Sequence, residues 1–513
     1  MRYNKTLILT SVFLFFVPII TFLSEVNLPQ ILASDILLIF ISQFSLLTLI
    51  FLISFVLHRQ LLQKILSFES FFLINIFTLY LLFFFKNFKD TFFYFVSNTQ
   101  LDAILTFFIY GFTYFFLIYF EKKHFKFLSR FLKIYVLIMF VFLFYNLFAF
   151  QFGTEKQNNR NISSNTLTEI DLNLIKENSK NENIFFIILD GMMSLEYAKK
   201  LGVIKSEQEI IIDLKNNDFL YEENFFSNYN TSYLSIASLL RSSYPVIEQS
   251  KRYYNRKNFF PFFILNEKKD NDLFKILRKT KKKLIWLGNE WAFCQDNSYI
   301  KCLNSDPMYK KISRLKLFYS DSIFSYILNF YSPDDKSKEA LDFLMTPNFA
   351  NKSYMQTKGD IYLIHVLSPH PPYIFDQNCD IRNEQKEKKE FNEIQYYSYA
   401  YNCLIKSISD WTNKINKVNK DNMIFILGDH GWSFDEDIMK KNDSDKDKIR
   451  FSPFFAYKVP ERCKDLKSPN SIVNVLRFAL ICAGNKELNY IKDLKFQSFY
   501  ESNSNYGRVF LKD

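Results

Sequence analysis

The chain has 513 residues, a formal net charge of +11 and an aromatic share of 19%, with 61 Phe and 31 Tyr. That length corresponds to two or three domains, and the aromatic excess, much of it in the first third, is far above ordinary usage. The basic balance excludes little by itself, but Lys and Arg are scattered among acids and no basic helix or aromatic-basic motif accompanies them, so no nucleic-acid partner is expected.

From Thr6 to Gln151 the sequence carries five apolar segments, roughly 6 to 23, 31 to 57, 70 to 85, 102 to 120 and 131 to 152. Most reach the length of about 20 residues that a helix needs to cross a bilayer. The first is not read as a cleavable signal, because further spans follow it and no small-residue cleavage site is obvious. Basic residues set the orientation. Arg2, Lys5, Arg59, Lys64, Lys122, Lys123, Lys126, Arg130 and Lys133 lie at the N-terminus and in alternate loops, against only Lys86 and Lys89 in the others. The first set is expected in the cytoplasm, so everything after residue 152 should emerge on the outer side. The domains expected are a transmembrane domain at 1–152, a polar Asn- and Ser-rich linker at 153–182, and an extracytoplasmic domain at 183–513.

Beyond the linker, apolar runs alternate with longer amphipathic stretches, the pattern of an α/β domain with a mostly parallel sheet. Strands are expected from Asn183 to Asp190, Lys281 to Gly288, Asp360 to Val366 and Met423 to Gly431. Continuous apolar runs suit inner parallel strands, whose two faces are both covered. Helices are expected from Asp272 to Thr280 and from Tyr396 to Ile415, where Ile405, Ile408 and Trp411 recur at helical spacing. Ligands in such sheets bind beyond the carboxyl ends of the strands. Asp190, His370, Asp429 and His430 should therefore share one edge. Carboxylate with imidazole is a donor mixture that zinc or manganese accepts. His365 falls inside its strand and is either a hydrogen-bonded core histidine or a ligand. His58 and His124 fall in cytoplasmic loops.

In Phe225 to Pro245, Asn228-Tyr229-Asn230-Thr231-Ser232 forms a polar turn before the amphipathic run Tyr233 to Leu240. A hydroxyl there is either an N-cap or a nucleophile, since helix-start amides and a metal can stabilise an alkoxide. All six cysteines lie beyond residue 290 as near neighbours. Three local disulfides, Cys294 with Cys302, Cys379 with Cys403 and Cys463 with Cys482, are expected in an oxidising compartment.

The order Leu189-Asp190-Gly191, Asn228 to Ser238, His365 with Pro369-His370-x-Pro372-Tyr373, then Gly428-Asp429-His430-Gly431 resembles the sulfatase-like branch of the alkaline phosphatase superfamily. Five spans ahead of such a domain resemble the lipoteichoic acid synthases and lipid A phosphoethanolamine transferases. Ser468 to Val475 also looks like that family's late helix. The resemblance implies that Asp190, Asp429 and His430 hold one divalent metal, zinc or manganese, together with the nucleophilic hydroxyl. His370 would contact the substrate anion or protonate the leaving group, and His365 is a second candidate for substrate contact. Ser232 lies better against the family pattern before Tyr-Leu-Ser, whereas transferases of this group commonly use threonine, which favours Thr231.

The implied activity is transfer of a phospho-alcohol group, of the phosphoethanolamine or phosphoglycerol type, from a lipid donor to an envelope glycan or lipid at the outer face of the inner membrane. Phosphate or sulfate ester hydrolysis is the alternative, and a non-catalytic membrane protein the third class. Two departures matter. Thr231-Ser232-Tyr233-Leu234-Ser235 lacks the Pro and Arg of the Cys/Ser-x-Pro-x-Arg pattern that sulfatases oxidise to formylglycine. No histidine follows His430, although the related transferases often carry one; charged Lys440 to Arg450 stands there and reads as a solvated loop, or else a lid.

Overall fold

A computed structural model of the chain describes residues 33–62, 172–175, 182–245, 272–287, 297–302, 359–371, 375–380, 392–418, 421–432, 445–500 and 506–512, with a few isolated positions besides. The chain divides into two compact units, Met1–Ile162 with Asp306–Asp334, and Ser163–Ser305 with Asp335–Asp513.

The first unit contains α1 (Ala33–Leu57), which runs on into a π-turn, His58–Leu62. Ile36–Gln60 is long and apolar enough to cross a membrane, the one such helix among the described residues. Leu37, Ile41, Phe44, Leu49 and Leu52 are each more than half exposed on its surface, which suits lipid better than water. The other four expected spans fall largely outside the described residues. Asp306–Asp334 groups with this unit although the sequence reading kept 183–513 as one stretch. A polar contact accompanies the grouping: the Tyr319 hydroxyl accepts a hydrogen bond from Gln43 Nε2 at 3.3 Å and lies 3.2 Å from Ser42 Oγ.

The second unit is built on a seven-stranded sheet of β1 (Ile184–Leu189), β2 (Leu220–Tyr221), β4 (Leu284–Leu287), β5 (Ile300–Cys302), β6 (Ile361–Val366), β7 (Met423–Gly428) and β8 (Phe455–Lys458), in the order β2-β8-β7-β1-β6-β4-β5. β7, β1, β6, β4 and β5 are parallel, while β8 pairs antiparallel with β7 and β2 antiparallel with β8 at the edge. The four strands expected from apolar runs are the four central ones. The helices are α2 (Leu195–Lys200), α3 (Glu207–Asn216), α4 (Ser232–Arg241), α5 (Asp272–Thr280), α6 (Glu393–Val418), α7 (Lys446–Phe451) and α8 (Val475–Cys482). A separate three-stranded antiparallel sheet contains β3 (Tyr253–Tyr254), β10 (Tyr506–Lys512) and β9 (Lys495–Tyr500), in that order.

Alternation along each central strand feeds two cores. Phe185, Ile187 and Leu189 pack with Tyr362, Ile364, Ile424 and Ile426 against Tyr397, Leu404 and Trp411 of α6. Ile184, Phe186 and Ile188 pack with Leu363, Trp286 and Phe425 against Ile236 of α4, Leu277 of α5 and Phe478 of α8. All six residues of β1 are buried. Each such side chain contributes about 1.5–3 kcal/mol of burial, which is why the middle of the sheet is rigid. Disulfides join Cys379 to Cys403 and Cys463 to Cys482. Cys302 is also disulfide-bonded; its expected partner, Cys294, lies outside the described residues.

Candidate active site

Register brings the acids together. Leu189 pairs with Gly428 and with Val366, so Asp190 and Asp429 leave adjacent parallel strands at one level. Two glycines make the turns possible. Gly191 has φ +73, and a Cβ on it would lie 2.8 Å from Trp432; a Cβ on Gly428 would lie 2.3 Å from the Met192 carbonyl oxygen. Both positions exclude larger residues.

Each carboxylate has one oxygen tied and one open. Asp429 Oδ1 accepts from the amides of Gly191 at 2.9 Å and His430 at 3.0 Å. Asp190 Oδ2 lies 3.2 Å from His365 Nε2. Asp190 Oδ1 and Asp429 Oδ2 are buried and have no hydrogen-bond partner among the described residues. Burial alone would raise the Asp190 carboxyl, but the hydrogen bond and charge of His365, with His370 and His430, hold it below its ordinary value.

His430 completes the cluster. Its Nδ1 donates to the Gly431 carbonyl oxygen at 2.9 Å, which keeps the ring proton on Nδ1 and leaves Nε2 with the lone pair. Burial, then the neighbouring Arg450 charge, lowers its pKa, so the ring is neutral at neutral pH. Ligand atoms of Asp190, Asp429 and His430 lie within 4.8 Å of one another. Two buried orphaned carboxylate oxygens beside a neutral imidazole fit a divalent cation, because the desolvation of those oxygens has no other compensation.

The two hydroxyls of the turn are not equivalent. Ser232 Oγ lies 3.2 Å from His430 Nε2. Thr231 is the N-cap of α4, makes no side-chain cap bond, and has its Oγ1 3.4 Å from Ser498 Oγ on β9. The turn is clamped from far along the chain. Asn230 accepts from the Ser498 amide at 2.8 Å and hydroxyl at 2.6 Å and donates to its carbonyl at 3.1 Å. Asn228 accepts from the Val473 amide at 2.8 Å and donates to the Leu494 carbonyl at 2.8 Å.

His365, expected at the substrate or in the core, is fully buried within β6 and stands behind Asp190, so it faces the carboxylate and not the opening. His370 is half-buried: its backbone amide donates to the Asp190 carbonyl at 3.1 Å, its Nδ1 lies 2.7 Å from the Pro371 carbonyl, and its ring packs edge-on at 5.2 Å against Trp432. Trp432 in turn stacks on Tyr397, whose hydroxyl donates to the Gly191 carbonyl at 2.8 Å.

Arg450 corrects the reading of Lys440 to Arg450 as a solvated loop. Its side chain enters the site and donates from Nη2 to His430 Nε2 at 3.3 Å. The one sequence signal was its place between Ile449 and Phe451, both buried, which a solvated loop would not require. Asn230 and Ser498 carried no recognisable signal, since their pairing joins residues 268 positions apart.

The family profile described as Sulfatase matches residues 182–484. No curated protein matches the sequence. Among solved structures, the integral membrane protein lipooligosaccharide phosphoethanolamine transferase A from Neisseria meningitidis is 10% identical, over 94% of this chain and 96% of that one, with a TM-score of 0.38. The C-terminal periplasmic domain of EcEptC from Escherichia coli is 12% identical, over 65% and 92%, with a TM-score of 0.35. The lipoteichoic acid synthase LtaP from Listeria monocytogenes is 15% identical, over 61% and 75%, with a TM-score of 0.34. Identities and TM-scores this low add nothing to the assignment, which rests on a profile spanning more than half of the chain. The chain belongs to the sulfatase family and is an enzyme of the sulfatase-like type.

Proposed function

We propose that the chain is a metal-dependent, membrane-anchored transferase that moves a phospho-alcohol group, of the phosphoethanolamine or phosphoglycerol type, from a lipid donor to a cell-envelope glycan or lipid. The observation that carries this reading is Ser232 Oγ at 3.2 Å from His430 Nε2, beside two buried carboxylates with open oxygens. The apolar helix in the first unit supports a site kept near lipid head groups. In this reading residues 1–152 form a multi-pass anchor in the inner membrane, 153–182 a linker, and 183–513 the catalytic domain on the outer side.

Asp190, Asp429, His430 and Ser232 would hold one zinc or manganese ion. When bound, the ion supplies a Lewis acid that lowers the hydroxyl pKa and neutralises phosphoryl charge. Ser232 attacks phosphorus at the start of a ten-residue helix, whose positive dipole end favours the anionic group. With the Ser232 proton already released to solvent, a bond from Oγ to phosphorus forms, the bond from phosphorus to the lipid oxygen breaks, and His370 gives that oxygen a proton. In the second half His370 takes the proton of the acceptor hydroxyl, which displaces Ser232. His365 fixes the Asp190 carboxylate from behind. His370 is therefore the candidate acid and base, and Ser232, ahead of Thr231, the nucleophile.

Phosphate or sulfate ester hydrolysis is the competing reading. The missing Pro and Arg after Ser232 disfavour the formylglycine route. Full-length protein in detergent micelles, loaded with zinc or manganese and given phosphatidylethanolamine or phosphatidylglycerol without acceptor, should release one equivalent of diacylglycerol and stop. Sustained turnover of arylphosphate or arylsulfate, with no burst on either lipid, would establish the hydrolase instead.

A further inference from the structure

The guanidinium of Arg450 is held by three acceptors. Nε donates to the Asn230 carbonyl at 2.9 Å, Nη1 to the Gly431 carbonyl at 3.1 Å, and Nη2 to His430 Nε2 at 3.3 Å. The first two are main-chain oxygens, one in the turn that carries Ser232 and one in the turn that carries His430. They fix the plane of the fork. The third is a metal-capable atom.

The segment bearing Arg450 is also laid directly on the Asp-His-Gly turn. The Gly431 amide donates to the Arg450 carbonyl at 2.9 Å, and a Cβ on Gly431 would lie 1.8 Å from the Ile449 carbonyl oxygen. Only glycine allows this approach, so the guanidinium is a built part of the site.

His430 Nε2 has one lone pair, because the ring proton on Nδ1 is engaged by Gly431. Arg450 Nη2 and Ser232 Oγ both approach it. A divalent ion needs the same lone pair. Ion and guanidinium N–H cannot both have it.

We propose that Arg450 is an anion receptor: with an ion on the His430 lone pair, its guanidinium binds a phosphoryl oxygen beside Ser232. This rests on the reading of Asp190, Asp429 and His430 as holders of one divalent ion. A guanidinium has five N–H donors, and the three bonds leave one on Nη1 and one on Nη2 even before the ion arrives. Its planar fork suits two oxygens of a tetrahedral anion better than an ammonium does. Arg450 thus supplies a second positive charge beside a single ion.

The test uses the full chain in micelles with two readouts other than turnover: zinc affinity by competition calorimetry, and affinity of the zinc-loaded protein for inorganic phosphate. Arg450→Gln should bind zinc at least about threefold more tightly and phosphate at least about thirtyfold more weakly, the loss of a charge-assisted forked contact. Arg450→Lys keeps the charge without the fork and should lose about five- to tenfold in phosphate affinity, which carries the test if the Gln variant does not fold. Phosphate affinity within threefold of wild type in a folded, zinc-binding variant overturns the proposal alone. A wild-type protein that binds no divalent ion overturns the metal reading and this proposal with it.

Discussion

The two halves of the site are held by different forces. Asp190, Asp429 and His430 hang from the ends of β1 and β7, whose pairing continues along six residues of fully buried backbone. Ser232 and Arg450 come from the start of one helix and the end of another, and their positions depend on side-chain clamps to β9 and to the Asp-His-Gly turn. The difference separates what must be rigid from what must be aimed. Ligand carboxylates gain from a frame that cannot relax around their open oxygens, while a nucleophile and an anion receptor gain from adjustable polar anchors.

The largest effect is expected where chemistry, not frame, is removed. Ser232→Ala should lower turnover by about 10⁴-fold, about 5.5 kcal/mol of transition-state stabilisation, with an unchanged melting curve. Thr231→Ala should stay within about tenfold, because its hydroxyl faces Ser498. A reversal of these two results would move the nucleophile by one residue. Gly431→Ala attacks the frame and should destabilise the fold by at least about 3 kcal/mol in denaturant titration, since the new methyl meets backbone.

Asn230→Ala breaks the clamp on the other half. It leaves the buried Ser498 amide unpaired and its hydroxyl with only the long contact to Thr231, at a cost of about 1–3 kcal/mol, and should reduce turnover more than zinc affinity. Equal losses in both would deny that the halves are separately held. His365→Gln should do the converse, weakening zinc by about 10–100-fold, the usual effect of losing an outer-shell partner, with a smaller change in melting.

The smallest effect is in pH. Burial and Arg450 lower the His430 pKa below its ordinary 6.5, so between the folded value and 6.5 the unfolded chain binds more protons. Stability of the metal-free protein should therefore be full above about pH 6.5 and decline as pH falls through the folded value, by at most about 1.4 kcal/mol per pH unit. Asp190, also lowered, acts only below its ordinary 3.8 and leaves that window clear. Denaturant midpoints measured with chelator at pH 7 and pH 5.5 would show the slope, and equal midpoints would contradict it.

Sequence pattern reached the first half of the candidate site and, in the second, the Thr231–Ser232 turn but not Arg450. Strands β1, β4, β6 and β7 are continuous apolar runs, and their polar ends name Asp190, Asp429 and His430 because parallel register does the rest. The Cys379–Cys403 and Cys463–Cys482 bridges followed from proximity in sequence. β8 and β2, which extend the sheet antiparallel beyond β7, escaped notice as runs of only four and two residues. The C-terminal sheet and its grip on Asn230 depend on contacts hundreds of residues apart, which no local periodicity encodes. Arg450 was hidden by its company: a charge run looks solvated until one member is found pointing inward.

The central claim is that Ser232 is the hydroxyl that takes the transferred group. Intact zinc-loaded protein should be incubated with phosphatidylethanolamine or phosphatidylglycerol, quenched in acid, digested, and the peptide carrying Thr231 and Ser232 sequenced by mass spectrometry. The account predicts one phospho-alcohol mass on Ser232, absent from Ser232→Ala and from protein treated with chelator. An adduct on Thr231, or full transfer activity with neither residue ever labelled, would contradict it.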